Sequence, residues 1–254
     1  MIRYPHLHST DSGMNSSLIG KRALVTGASK GLGRAICRAL IKEGVYVIGV
    51  ARASPELDSA SDEFGQAFEA WPMDVTGDEV LDAIESAEPL NLLVNNAGTN
   101  HPQRFVEATD ATLDRLLTLN VRAAFRIARS TVRRMPKGGA IIHITSQMGH
   151  VGSPNRTVYC MTKHAIEGLS KAMAVELAPV GIRVNCVAPT FVRTPMTEKM
   201  LADPQFAEFV DRMIPMGQLA TAEQVAAAVV YLASPAAGMI TGHSLVIDGG
   251  WTAQ

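Results

Sequence analysis

The chain has 254 residues, 47% of them hydrophobic, and its 23 basic and 24 acidic side chains give a formal net charge of −1. This length suffices for one large hydrophobic core, and the balanced charge offers no basic surface for nucleic acid or an anionic membrane. The three cysteines form no CxxC pair and no ligand cluster with histidine, so no disulfide framework or metal site is predicted. A cytoplasmic protein that acts on a small molecule is expected.

The first residues lack an apolar run long enough for a signal peptide or a membrane span. We predict a mobile leader over residues 1–19. Residues 20–254 are predicted to form a single domain.

Short, continuously apolar segments then alternate with longer segments of helical pattern. Continuous hydrophobicity in short segments indicates strands that are buried on both faces. The predicted strands are 23–26, 46–50, 90–94, 140–144, 183–187 and 245–247, and the predicted helices are 32–43, 111–135, 157–178 and 221–233. This order predicts an α/β fold, a Rossmann-like doubly wound parallel sheet flanked by helices, with ligands beyond the carboxyl ends of the strands.

A glycine-rich turn follows the first predicted strand. Its glycines allow a tight turn and close approach of the backbone to a pyrophosphate, and the amides of the next helix attract the anion. The Gly-x-x-x-Gly-x-Gly spacing differs from the commoner Gly-x-Gly-x-x-Gly, and such a turn can also be a simple helix start. The position after a strand favours a dinucleotide site. The predicted contacts are Gly27, Ser29, Lys30, Gly31, Leu32 and Gly33.

The second predicted strand is followed by Ala51 and Arg52. A site that selects an unphosphorylated ribose usually places Asp or Glu at this point. Arg52 and Lys30 can instead donate charge-assisted hydrogen bonds to a ribose phosphate. The sequence therefore favours NADP(H) as the cofactor, and NAD(H) stays open as the alternative. The alternative is that both are ordinary surface cations.

Two further segments are predicted to contact the cofactor. Asp74, followed by Val75, is expected beside the adenine amino group. Asn96, Ala97 and Gly98 follow a strand where the cofactor would pass. Alone, either segment would be an ordinary Asx turn.

The candidate catalytic groups lie further along the chain. Tyr159 and Lys163 are four residues apart in a predicted helix, so both side chains project from one face. A tyrosine with its usual pKa of about 10 is a poor base near neutrality, and the Lys163 ammonium is expected to lower that pKa. Ser146 can offer its hydroxyl to a substrate oxygen, and Asn120 can hold a water beside Lys163. By itself, Tyr-x-x-x-Lys is also a common surface pair.

Taken together, these motifs resemble the short-chain dehydrogenase/reductase family over about residues 18–251. The resemblance implies that Tyr159 is the general acid/base, Ser146 orients the carbonyl, Lys163 anchors the ribose and tunes the phenol, and Asn120 holds the water. Hydride would move directly between nicotinamide and substrate carbon. The motifs are Thr26-Gly27-x-x-x-Gly31-x-Gly33, Asn95-Asn96-Ala97-Gly98, Asn120, Ser146, Tyr159-Cys160-Met161-Thr162-Lys163 and the segment Pro189 to Thr194.

The resemblance also assigns the segment after the sixth predicted strand to the cofactor. With Pro189, the Val192 backbone and the Thr194 hydroxyl would hold the nicotinamide carboxamide. Thr190 departs from the glycine usual in the family, which puts the geometry of the substrate loop in doubt. The family further implies a homo-oligomer, usually a tetramer, built partly from the helices that contain Asn120 and Tyr159.

Polar side chains surround the predicted reaction centre and favour a small hydroxylated substrate such as a sugar or polyol. Each of them can instead cap a turn or face solvent. The main alternative is a 3-oxoacyl thioester (acyl carrier protein) reductase, and a different class is a non-catalytic dinucleotide sensor. The candidate substrate residues are Asn100, His101, Gln147, Asn155 and Arg156, with His150 nearby.

Overall fold

The structure, a computed structural model, describes residues 18–193, 197 and 201–254. Residues 1–17 of the predicted leader and Thr194 of the predicted carboxamide site lie outside the described residues. Leu18, which the leader prediction includes, is buried, and its carbonyl accepts a hydrogen bond from the Lys21 amide. The packed fold therefore extends into the end of the predicted leader.

Seven strands form one parallel sheet, ordered β3-β2-β1-β4-β5-β6-β7. The chain runs outward from β1 to β3 and then returns to place β4 on the other side of β1, which is the doubly wound arrangement. The predicted fold class is confirmed. The strands are β1 Arg22–Thr26, β2 Tyr46–Ala51, β3 Phe68–Pro72, β4 Leu92–Asn95, β5 Ala140–Ile144, β6 Arg183–Pro189 and β7 Ser244–Ile247.

Helices cover both faces of this sheet. In the described part of the chain they are α1 Gly31–Lys42, α2 Pro55–Phe64, α3 Glu79–Ser86, α4 Asp110–Leu117, α5 Ala124–Val132, α6 Thr157–Leu177, α7 Pro204–Met213 and α8 Ala222–Ala233. Successive residues of β1 illustrate the layering, because Leu24 packs in the core on one face and Val25 in the core on the other. With both faces sealed, polar groups collect at the carboxyl ends of the strands. None of the described helices is long and apolar enough to cross a membrane.

Several elements differ from the sequence prediction. The helix predicted over 111–135 is broken into α4 and α5 by a π-helical segment, Thr118–Ala123. The edge strand β3 was not predicted, because its sequence Phe-Glu-Ala-Trp-Pro mixes apolar and polar residues and is only partly buried. Helices α2 and α3 were also not predicted, since each presents only a narrow apolar face, with two fully buried residues apiece.

A smaller apolar cluster closes the carboxyl-terminal side of the domain. Phe206 and Phe209 of α7 pack against Phe191 and Trp251, with ring centroids 5.4 to 6.4 Å apart. These aromatic rings tie α7 to the segment that follows β6 and to the end of the chain.

Candidate active site

The turn between β1 and α1 brings strand and helix into direct backbone contact. Gly27 adopts φ +68°, a left-handed conformation that favours glycine. A Cβ atom at Gly33 would overlap the Gly27 carbonyl oxygen. The Asn96 side-chain amide crosses the turn and donates to the Thr26 and Gly27 carbonyl oxygens at 2.9 and 3.3 Å. Gly27 is thus required by its backbone conformation, and Gly33 is required by its close packing on Gly27.

The N-terminus of α1 fits an anionic group. The residue before the helix, Lys30, makes no side-chain cap, and the first turn contains no acidic residue. A Cβ at Gly31 would meet nothing within 4 Å, so the space above the turn is open. Ser29 and Leu32 are partly exposed beside it. Uncapped amides with a favourable helix dipole are the usual seat of a pyrophosphate.

The ends of β2 and β3 carry the groups predicted to select the cofactor. Arg52 is exposed and, within the described residues, makes no ion pair. The Lys30 ammonium lies 3.7 Å from Glu56 in an exposed pair. Asp74 accepts hydrogen bonds from the Thr76 amide and hydroxyl, and these bonds hold the pKa of the carboxyl below its usual range. Val75 is buried behind it.

Thr26 links the end of β1 to the segment after β4. Its hydroxyl oxygen accepts hydrogen bonds from the amides of Asn96 and Ala97 at 3.0 and 2.9 Å. A Cβ at Gly98 would stand 3.2 Å from Asn120 Oδ1 and 3.8 Å from Lys163 Nζ. The predicted cofactor path therefore runs from the glycine turn to the catalytic candidates.

Asn120 lies in the π-helical segment, and π-bulges are frequent at functional sites. Its amide nitrogen donates to the Thr99 carbonyl at 2.9 Å and to the Thr162 hydroxyl at 3.1 Å. Its Oδ1 accepts from the Thr99 amide at 2.9 Å. Asn120 thus ties the segment after β4 to α6, one residue from Lys163.

Ser146 follows β5 and faces Tyr159 of α6. The serine hydroxyl accepts from the Met148 amide at 3.1 Å and donates to Gln147 Oε1 at 2.8 Å. Burial raises the pKa of the Tyr159 phenol to about 12, and its hydrogen bond with Ser146 opposes that rise. The phenol is therefore protonated at neutral pH in the chain alone, the state required of a general acid.

Lys163 is buried one helical turn after Tyr159. Its ammonium donates to the Ile144 carbonyl at 2.8 Å and lies 5.7 Å from the Tyr159 ring centroid. Burial lowers the pKa of Lys163 to about 8, while the neighbouring Cys186 and Glu167 side chains oppose the shift. The expected depression of the phenol pKa by Lys163 is not found: burial raises that pKa, and the groups that oppose the rise are Ser146 and Arg156.

A buried carboxylate in this region was not predicted from the sequence. Glu167 Oε1 accepts from the hydroxyls of Thr145 and Ser244 at 2.6 and 2.9 Å and lies 3.3 Å from His150 Nε2. Its position four residues after Lys163 places it on the same face of α6 and was the signal available. His150 also contacts Ser244, at 3.0 Å, so it is held by Glu167 and β7 rather than by the predicted substrate region.

A buried histidine was missed as well. His143 of β5 contacts the Asn95 amide nitrogen through Nδ1 at 3.3 Å. Asn95 also donates to the Ala124 carbonyl at 3.1 Å. Burial, with Lys163 nearby, lowers the pKa of His143 to about 4, so the imidazole is neutral. Neutral His143 adds no second positive charge beneath Lys163.

The predicted substrate residues fall into two groups. Asn100 and His101 are exposed after β4 and make no side-chain contact with the catalytic candidates in the described structure. Gln147 is buried against Ser146, and Arg156 is buried near Tyr159, with its Nη1 donating to the Asn155 carbonyl at 3.1 Å.

The segment after β6 begins at the predicted carboxamide site. Pro189 ends the strand, and the Thr190 amide donates to the Ile247 carbonyl at 3.1 Å. Val192 is buried and pairs with Ala220. Thr190 does not adopt positive φ, which explains why threonine is accepted where the family usually has glycine.

Comparisons with known proteins give the family. A family model described as Enoyl-(Acyl carrier protein) reductase matches residues 27–252. The chain is 39% identical over 244 residues to L-xylulose reductase from Bos taurus, covering 94% of this chain and 100% of the relative. It is 36% identical over 241 residues to a 3-oxoacyl-[acyl-carrier-protein] reductase from Vibrio harveyi, covering 92% and 98%.

A solved structure supports the same family. A protein from Beutenbergia cavernae assigned as an NAD(P)-dependent gluconate 5-dehydrogenase, with NADP bound at low occupancy, superposes with a TM-score of 0.88 at 34% identity. The alignment covers 94% of this chain and 99% of that one. The chain belongs to the short-chain dehydrogenase/reductase family and is an NAD(P)-dependent oxidoreductase that acts on CH–OH groups.

Proposed function

We propose that the protein interconverts a secondary alcohol and a ketone on a small polyhydroxylated substrate of the sugar or polyol class. The observation that carries this proposal is the convergence of Ser146, Tyr159 and Lys163 beside the buried polar side chains of Gln147 and Arg156. A pocket for a long apolar substrate has no use for such groups. Relatives named for xylulose and gluconate, both polyhydroxylated, support the same class.

In this proposal the bound nicotinamide supplies or accepts the hydride. Ser146 holds the substrate oxygen beside the phenol, and Tyr159 gives it a proton during reduction or removes one during oxidation. Lys163 would bind the cofactor ribose and support the phenol, and Asn120 would hold a relay water beside Lys163. The cofactor contacts are Gly27, Ser29, Lys30, Gly31, Leu32, Gly33, Arg52, Asp74, Val75, Asn96, Ala97, Gly98, Tyr159, Lys163, Pro189, Val192 and Thr194.

We further propose NADP(H) as the preferred cofactor, with NAD(H) as a weaker substitute. Arg52 supports this preference because it is exposed directly after β2, at the position where an acidic residue would bind an unphosphorylated ribose. Lys30 contributes less, since Glu56 competes for its ammonium.

A homo-oligomer, most simply a tetramer, is proposed for the assembly. A depression of about 560 Å³ on α4, α5, α6 and the π-helical segment includes Leu117, Val121, Phe125 and Leu169 in its lining. Phe125 is 44% exposed beside the other apolar side chains of this lining, and a contiguous exposed apolar patch is typical of a contact between protein chains. Light scattering on the purified protein should give four times the chain mass, and Phe125→Glu should lower it.

The test of function is turnover by the purified protein with NADPH and NADH against ketoses, keto sugar acids and simple 3-oxoacyl thioesters. Reduction of the polyhydroxylated compounds is expected. A 3-oxoacyl thioester preferred by about tenfold or more in kcat/KM would favour the alternative that the Vibrio harveyi relative represents. Tight dinucleotide binding without turnover of any carbonyl class would favour a sensor.

A further inference from the structure

Arg156 is a buried cation at the entrance to α6. It precedes the first helical residue, Thr157, and lies three residues before Tyr159. Only 9% of the residue is exposed. Burial raises the pKa of the Tyr159 phenol, and the Arg156 guanidinium is among the groups that oppose that rise. Arg156 is therefore buried at the N-terminus of α6, three residues before Tyr159, rather than on the outer surface.

A strained backbone holds this guanidinium in place. Asn155 has φ +58° and is the one non-glycine residue with positive φ in the part of the chain described. This conformation aims the Asn155 carbonyl at two donors, the Gln103 amide at 3.0 Å and Arg156 Nη1 at 3.1 Å. Left-handed backbone at a residue other than glycine is uncommon and is concentrated at ligand sites.

The positive charge of Arg156 is unmatched. Across residues 18–193, 197 and 201–254, no carboxylate forms an ion pair with it. The Nε atom of Arg156 is buried and has no hydrogen-bond partner, and its Nη2 atom has no hydrogen bond to a described residue. The Oε1 atom of Gln103 is also buried without a partner. Buried guanidinium groups are normally paired with an anion, because desolvation of a lone charge is costly. Arg156 is therefore a buried cation to which an anionic ligand could bind.

We propose that Arg156 binds the carboxylate of the substrate, so that the enzyme acts on hydroxylated carboxylic acids of the sugar-acid class in preference to neutral sugars and polyols. The planar guanidinium matches a carboxylate through paired hydrogen bonds. The positive end of the α6 dipole lies at the same place and favours the same charge. This proposal rests on the proposed function and specifies its substrate class.

The test uses pairs of compounds that share their hydroxyl configuration and differ in one terminal group: D-gluconate with D-sorbitol, D-galactonate with galactitol, and D-xylonate with xylitol. Oxidation is followed with NADP+ and NAD+. We expect at least one acid to exceed its polyol about tenfold or more in kcat/KM. In Arg156→Gln this acid-to-polyol ratio should fall by about 10- to 100-fold, the usual effect of losing a charged hydrogen bond. Arg156→Lys should retain part of the preference.

Arg104→Gln is the matched control, because Arg104 is an exposed arginine near the same loop, 3.7 Å from Glu107, and its loss should leave the ratio at the wild-type value. NADP+ affinity, measured by fluorescence, verifies that each variant is folded. An acid-to-polyol ratio near one, or a ratio unchanged in Arg156→Gln, would overturn the role of Arg156 while the proposed function stands. Turnover of neither class, in either direction, would overturn the proposed function itself.

Discussion

The site has a dinucleotide half, around Gly27, Gly33 and Asn96, and a substrate half, around Ser146, Arg156 and Tyr159. The two halves are built by different means. In the first, backbone contacts fix the geometry: Gly33 packs on the Gly27 carbonyl, and Thr26 binds the amides that follow β4. In the second, side chains on connecting segments do the work, as with Arg156 held by the strained Asn155. The first half requires glycine where a Cβ would clash, whereas the second depends on buried side chains and their hydrogen bonds.

The largest expected effect tests whether the chemistry belongs to the substrate half. Tyr159→Phe removes the transferable proton and little volume, so kcat should fall about 10²- to 10⁴-fold while cofactor affinity is unchanged. Steady-state kinetics and fluorescence titration with NADPH measure the two quantities. Activity near that of the wild type would exclude Tyr159 as the general acid.

Gly33→Ala should break the dinucleotide half. The new methyl group meets the Gly27 carbonyl oxygen, so either cofactor affinity falls about tenfold or more, or the free energy of unfolding falls by about 1–3 kcal/mol. Gly152→Ala is the control, because a Cβ there meets nothing within 4 Å. Equal cofactor affinity and equal melting temperature in the two variants would contradict the close approach of β1 and α1.

Arg52→Asp tests whether the dinucleotide half also selects NADPH over NADH. The change replaces a phosphate partner with an anion that repels phosphate and accepts ribose hydroxyls. The ratio of kcat/KM for NADPH to that for NADH should fall about tenfold, by the worth of one charged hydrogen bond. A ratio that does not move would assign cofactor preference to other residues.

The smallest effect concerns the pH profile. The Glu167 carboxylate raises the pKa of Lys163 against the lowering by burial, so Glu167→Gln should let Lys163 lose its proton below about pH 8. Because the protonated lysine supports the reaction, the alkaline limb of carbonyl reduction should move toward lower pH by about one unit, or about 1.4 kcal/mol. Glu167→Asp, which keeps the charge, should restore most of the profile. Identical profiles for wild type and Glu167→Gln would leave Glu167 with a packing role only.

The same contrast explains what the sequence could predict. The doubly wound parallel sheet and the glycines at positions 27 and 33 follow from patterns in which backbone geometry permits few residues. Glu167 was missed because its partners, Thr145, Ser244 and His150, come from separate parts of the chain.

Arg156 was only one of several polar candidates in the sequence. Its burial beside Tyr159 and its lack of a described anionic partner arise from packing that a linear pattern does not encode. Local pattern therefore predicted the close packing of the glycine turn better than the buried contacts around Arg156.

The most direct test of the account is to follow deuterium from the cofactor. NADPH deuterated at C4 of the nicotinamide, in each of its two stereoisomers, is incubated with the enzyme and the best ketone substrate, and the alcohol product is analysed by mass spectrometry. One isomer should place a single deuterium on the former carbonyl carbon, and Tyr159→Phe should give the same label at a much lower rate. An alcohol that carries no deuterium from either isomer would contradict direct hydride transfer at this site.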